Sequence, residues 1–149
     1  MATILLPPDF KEFLQLLNKH QVDYLLIGGY AVGYHGYPRA TGDMDIWVAI
    51  NPENANKLVA VLAAFGFEAT DISADLFLQS NNVIRMGAPP LRLEILTTIS
   101  GVEFADAYAQ RITETIDGVA VNIISLDLLK ANKRASGRLK DLSDLENLP

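Results

Sequence analysis

Apolar residues recur along this chain with two different periods, and the switches between them divide it into short helices and strands. Phe10, Phe13, Leu14 and Leu17 fall on one face of a helix expected over about Phe10–Lys19, with Asp9 placed to cap it after Pro7-Pro8. Tyr24-Leu25-Leu26-Ile27 is a continuous apolar run ending at Gly28-Gly29, which reads as a buried strand; Ala31 to Tyr34 then opens a helix. Gly36 to Gly42 contains Pro38 and reads as a loop. Asp43 to Ile50 is rich in β-forming residues and closes at Asn51-Pro52; Glu53 to Phe65 has helical spacing, with Gly66 as its C′ residue. Strands are expected around Val83–Met86 and Leu91–Thr97, on either side of Gly87-Ala88-Pro89-Pro90, and a short helix over Phe104–Gln110. Arg111–Ile116 and Val119–Ile124 flank Asp117-Gly118, a two-residue hairpin signal. Ser125 caps a helix over Leu126 to about Ser136, Gly137 interrupts it, and a last helix starts near Leu139.

The order α, β, α, β, α, β, β, α, β-hairpin, α, α predicts an α/β (α+β) protein: a mixed β-sheet flanked by helices, with a C-terminal helical pair. A length of 149 residues suits one domain, 1–149, around one core.

Composition narrows the class. Half the residues are hydrophobic and a fifth charged, the balance of a folded protein rather than a disordered tail. No apolar run approaches the roughly 20 residues that span a bilayer, so no membrane partner is expected. The opening MATILLPPDF lacks a basic n-region and a long apolar h-region, so a signal peptide is not expected. The absence of cysteine excludes disulfides, thiolate zinc sites and a cysteine nucleophile, and accords with a cytoplasmic location. A formal net charge of −6 argues against a broad nucleic-acid-coating surface. Any RNA or DNA contact should use a local patch, and the dense one is Lys130, Lys133, Arg134, Arg138 and Lys140.

The triplet Asp43-Met44-Asp45 carries the most chemistry. In a strand, residues two apart share a face, roughly 6.5–7 Å apart along the chain. Asp43 and Asp45 therefore point together, and Met44, Ile46 and Val48 point away into apolar surroundings. Paired like charges repel unless a cation lies between them, and hard oxygen ligands favour Mg²⁺ or Mn²⁺ over zinc. The alternative is a pair of carboxylates facing water at a strand end. Fourteen residues before the pair, a buried strand ends in Gly28-Gly29, where the backbone can approach a phosphate at a helix start. Glu94, on the face opposite Leu93 and Ile95, is the candidate third carboxylate; a solvated face or a Glu94–Arg92 pairing is the other reading.

Together these residues resemble a family. Leu26-Ile27-Gly28-Gly29 and Arg39-Ala40-Thr41-Gly42-Asp43-Met44-Asp45-Ile46-Trp47-Val48 resemble the first two motifs of nucleotidyltransferase-fold proteins of the polymerase β type. The segment from Lys133 to Leu145 (Lys-Arg-Ala-Ser-Gly-Arg-Leu-Lys-Asp-Leu-Ser-Asp-Leu) is similar to the closing motif of the AbiEii-like branch, which includes toxins of toxin–antitoxin and abortive-infection systems. The resemblance implies that Gly28 and Gly29 cradle a triphosphate, that Asp43 and Asp45 hold Mg²⁺, and that Glu94 binds metal or activates the attacking hydroxyl. It implies nucleotide or phosphate contacts from lysine and arginine of the last motif, here Lys133, Arg138 and Lys140. The implied reaction moves a nucleoside monophosphate from an NTP to an RNA end, a protein or a small hydroxyl compound, releasing pyrophosphate. The chain departs from the pattern in three places: Gly-Gly stands where Gly-Ser is common, Glu94 where aspartate is more usual, and little extends beyond the catalytic core.

The remaining polar and aromatic residues keep two readings each. Arg39 and Thr41 either reach phosphates or stabilise their loop. His35 touches substrate or packs; Trp47 stacks on a base or fills the core. Asp141 and Asp144 are expected to orient the neighbouring cations. Tyr30, Tyr34 and Tyr37 have no assigned role. The other function classes are a non-catalytic nucleotide- or partner-binding relative, antitoxin-like or regulatory, with a cognate partner protein, and an antibiotic-modifying enzyme. Exposed apolar surface left by a missing second domain would favour a homodimer.

Overall fold

The computed structural model describes residues 5–67, 72–88 and 91–149. The first four residues of the opening MATILLPPDF read for targeting, and Pro89-Pro90 of the stretch between the two expected strands, lie outside them. Six strands form one mixed sheet in the order β3-β4-β2-β1-β6-β5. They are β1 (Tyr24–Ile27), β2 (Asp43–Val48), β3 (Val83–Ala88), β4 (Leu91–Leu96), β5 (Ile112–Ile116) and β6 (Val119–Ile123). The helices are α1 (Pro8–Lys19), α2 (Gly28–Tyr34), α3 (Pro52–Phe65), α4 (Phe104–Ala109), α5 (Leu126–Ser136) and α6 (Leu139–Asn147), with a 3-10 turn at Ala74–Phe77. The mixed sheet, the flanking helices and the C-terminal helical pair are those expected from the residue pattern.

Local chemistry sets most boundaries. The Asp117-Gly118 turn has φ of 50° and 80°, the double left-handed geometry of a two-residue hairpin, and joins β5 to β6. Asp117 also accepts a hydrogen bond from the backbone N–H of Leu6, which pins the start of the described chain to that turn. Ser125 caps α5 by accepting from the N–H of Leu128, and Asn51 caps α3 by accepting from that of Asn54. Asn54, buried, accepts from the N–H of Asp23 and donates to the carbonyls of Asp23 and Ala49, tying α3 to the ends of β1 and β2. Two helix starts differ from expectation by two residues or more. Helix α1 starts at Pro8 with no side-chain cap: proline suits the first helical position, where its missing N–H needs no partner and its fixed φ is already helical, so Asp9 falls within the first turn instead of at the cap. Helix α2 starts at Gly28 itself, directly after extended Ile27, rather than at Ala31.

The core lies between the sheet and its helices. Phe10, Phe13, Leu14 and Leu17 of α1 are buried there with Met44, Ile46 and Val48 of β2. On β2 the alternation therefore works as expected: the even-numbered residues are fully buried, and Asp43 and Asp45 face the other way. Trp47 shares the acidic face, yet it is 1 % exposed. Its indole N–H donates to the carbonyl of Thr97, and its ring meets Phe104 of α4 edge-on at 5.1 Å. Of its two readings, the structure shows core packing.

Candidate active site

Strand register brings the acids together. β2 runs antiparallel to β1 and parallel to β4, and β3 runs antiparallel to β4. Asp45 lies opposite Ile27 on one side and Glu94 on the other, and Glu94 lies opposite Arg85. Asp43 lies opposite Arg92. Two rows of charge thus cross the same face, Arg85-Glu94-Asp45 and Arg92-Asp43.

Each carboxylate has a different environment. Asp43 is gripped by Arg92 in a fork, with Nε and Nη2 each 3.2 Å from a carboxylate oxygen. Glu94 accepts from Nε of Arg85 at 3.0 Å. The Glu94–Arg92 alternative survives only as a 4.0 Å approach. Among the described residues no cation pairs with Asp45, and its Oδ1 is buried without a hydrogen-bond partner. Burial, then the Glu94 carboxylate and the Asp43 charge, push the Asp45 pKa up to about 7, with Lys140 pulling weakly the other way. An ionised carboxylate in that position lacks a counter-charge. A divalent cation would supply one, so the donor set fits Mg²⁺ or Mn²⁺ at Asp45 and Glu94. Among the described residues, no three acidic or histidine side chains converge as a ready-made metal cage.

Gly28 makes room for this arrangement. Its φ is +68°, and a Cβ there would lie 2.0 Å from Oδ2 of Asp45. Gly29 is confined less tightly: a Cβ there would lie 2.9 Å from Oγ1 of Thr41. Thr41 exchanges hydrogen bonds with the backbone N–H and carbonyl of Asp43. It lines no part of the cleft and serves the loop.

The cleft itself measures about 680 Å³ and is lined by Gly28, Gly29, Arg39, Asp43, Asp45, Glu94, Lys133, Arg138 and Lys140, among others. All the sequence-derived site residues except Thr41 therefore meet there. Their availability differs. Lys133 is 5 % exposed and ion-paired to both Asp141 and Asp144 at 3.2 Å. Arg39 makes a bidentate pair with Asp144 at 2.9 and 3.0 Å. Ser136 and Arg138 also donate to Asp141. Burial alone would raise the two acids, but these donors outweigh it and hold Asp141 well below the ordinary carboxylate range and Asp144 below its ordinary value. The side chain of Lys133 is thus committed to fixing α6 on α5, because two buried aspartates compete for its ammonium. Asp141 and Asp144 orient the cations, as their placement in the motif suggests. Lys140 is exposed and makes no ion pair among the described residues, and Arg138 is mostly exposed. His35 turns its imidazole to the carbonyl of Ile124 at 2.7 Å.

Sequence reasoning missed Arg85 as the partner of Glu94, and missed Asn81, Thr98, Ser100 and Asn132, which also line the cleft. Arg92 is two residues from Glu94, so its shared face was readable by parity. Arg85 was not, because its place depends on the β3–β4 register.

No protein-family profile matches the chain, and no curated protein matches it. Solved structures do. TM1012 of Thermotoga maritima, assigned as a nucleotidyltransferase, aligns with a TM-score of 0.65 at 15 % identity, over 95 % of this chain and 93 % of that one. An antigenic nucleotidyltransferase-like protein of Paracoccidioides brasiliensis aligns at 0.54 and 20 % identity, over 93 % and 71 %. ANT(2″)-Ia, solved in complex with adenylyl-2″-tobramycin, aligns at 0.55 and 14 % identity, over 92 % and 83 %. At these identities the likeness is one of shape, and what it establishes is that this chain has the nucleotidyltransferase fold.

Proposed function

We propose that this chain is a Mg²⁺- or Mn²⁺-dependent nucleotidyltransferase that moves a nucleoside monophosphate from an NTP to a hydroxyl acceptor. The observation that carries the reading is Asp45, a carboxylate with a buried and partnerless oxygen beside Glu94, at a turn where position 28 must be glycine. Asp45 and Glu94 would hold the cation, joined by Asp43 once Arg92 releases it. When bound there, the cation supplies charge neutralisation for the polyphosphate and the leaving group. The backbone at Gly28 and Gly29 admits a phosphate closely, and exposed Lys140 and Arg138 add positive charge from the opposite wall. Arg39 and Lys133, both held by Asp144, position that wall. In the reaction the acceptor oxygen bonds to the α-phosphorus, the bridging α–β P–O bond breaks, and pyrophosphate leaves. The hydroxyl proton passes to Glu94 or to solvent.

A small hydroxyl compound is the acceptor we favour, because ANT(2″)-Ia was solved with an adenylylated tobramycin. RNA ends and proteins, the acceptors implied by the AbiEii-like resemblance, are the other arms of the test. NTPs labelled at the α-phosphate are offered with small hydroxyl compounds, total RNA and lysate protein, using wild type and D45N. Label transferred by wild type and not by D45N supports the reading, and the arm that gains label names the acceptor. No transfer in any arm contradicts it.

One observation favours a second reading. Arg92 and Arg85 already neutralise two of the three acids, as suits a non-catalytic nucleotide- or partner-binding relative. NTP binding without label transfer to any acceptor would decide for it.

A further inference from the structure

We propose that Arg92 is an internal competitor for the divalent cation at Asp43, so that metal and nucleotide bind cooperatively. The inference rests on the metal reading above and adds a residue that controls it. The Arg92 fork engages both oxygens of Asp43. A divalent cation drawn to Asp43 would meet a guanidinium already in the way, and like charges at such distances repel. One of the two must yield.

The pair is built to exchange. Its side chains are 35 % and 36 % exposed, whereas the Lys133–Asp141 pair is 6 % and 1 % exposed. A half-hydrated pair costs little to open, and a buried one costs much. The backbone need not move, because Arg92 is fixed in register with Asp43 and its N–H donates to the carbonyl of Gly42 at 2.9 Å. Only the guanidinium has to swing. Once released it remains tethered beside Asp43, which lines the cleft, and the arriving polyphosphate is the anion that can pair with it. The metal then frees a phosphate ligand, and the nucleotide keeps Arg92 off Asp43. By linkage each ligand strengthens the other. Arg85 cannot do the same for Asp43, since its contact is with Glu94 on the neighbouring row.

The test is Mn²⁺ binding by the full chain, read from the electron paramagnetic resonance of free Mn²⁺, with and without a non-hydrolysable NTP. Without nucleotide, R92Q is expected to bind Mn²⁺ roughly two- to fivefold tighter than wild type, the range of a partly exposed ion pair. The nucleotide-induced gain in Mn²⁺ affinity should shrink in R92Q. R92K, which keeps a charge but loses the fork, should fall between, and it answers the question if R92Q does not fold. K57Q removes a cation that pairs with Glu53 on α3 and lines no part of the cleft, and should leave Mn²⁺ affinity without nucleotide within about twofold of wild type. A structural role for Arg92 would lower stability and leave Mn²⁺ affinity alone. If R92Q and R92K bind Mn²⁺ no tighter than wild type while D45N abolishes binding, the competitor role is overturned and the metal site stands. If neither wild type nor D45N binds Mn²⁺, the metal reading falls and takes this inference with it.

Discussion

Gly28 and Asp45 are packed so closely that a single methyl group on Gly28 would lie 2.0 Å from the Asp45 carboxylate. The turn after β1 and the acid on β2 are therefore one construction. The substitution G28A tests it from the glycine side. It adds the methyl and forces alanine to φ near +68°, which costs about 1–2 kcal/mol before any clash. We expect a lowered melting temperature and loss of nucleotide binding. G33A is the control. Its φ is not positive and its nearest neighbour, Pro38, is 3.9 Å away, so a helical alanine there should be neutral or slightly stabilising.

The Asp45 carboxyl gives a pH signature in EDTA. Its pKa rises from 3.8 in the unfolded reference to about 7 in the fold. The folded state thus holds the proton more tightly. The associated stability is full below about pH 4, is lost as pH rises to about 7, and stays lost above it. D45N removes this dependence. Relative to wild type, D45N should gain stability from pH 4 to 7, on the order of 2–4 kcal/mol, in denaturant titrations. A difference that stays constant across that window would show that Asp45 does not titrate there.

Lys133 is placed to be structural. K133M leaves Asp141 and Asp144 buried with one ammonium fewer, a change that typically costs about 3–5 kcal/mol. Thermal unfolding should show a large drop. The double variant K133M/D144L should recover part of it, because the uncompensated charge is removed. A single K133M variant as stable as wild type, with weakened nucleotide binding, would return Lys133 to the phosphates.

Trp47 is the chain's one tryptophan, and so a clean reporter. Buried against Phe104 and bonded to Thr97, it should emit at short wavelength and resist acrylamide quenching. Saturating NTP should leave that emission unchanged. Strong quenching by nucleotide would restore the base-stacking role.

Much of this was legible where neighbours in sequence decide the structure. Asp117-Gly118 announced its hairpin and Ser125 its cap, because both act within four residues. The same-face geometry of Asp43 and Asp45 followed from the strand period, and their meeting with Lys133, Arg138 and Lys140 followed from motif order. What stayed hidden depends on partners far along the chain. Trp47 has the parity of the acids, and only the packing of α4 against its ring puts it in the core. Lys133 looked like a phosphate ligand until two aspartates of α6 claimed it. The arginines that hold Asp43 and Glu94 are set by the β2–β4 and β3–β4 registers, which no local pattern encodes. The site was thus readable as a set of residues, and its charge balance was not.

The most direct measurement is isothermal titration of the protein with non-hydrolysable analogues of the four NTPs, in Mg²⁺ and in EDTA, for wild type and D45N. One site per chain is expected for at least one analogue in Mg²⁺, lost or much weakened in EDTA and in D45N. Binding that ignores both EDTA and D45N, or no binding of any analogue in Mg²⁺, would contradict it.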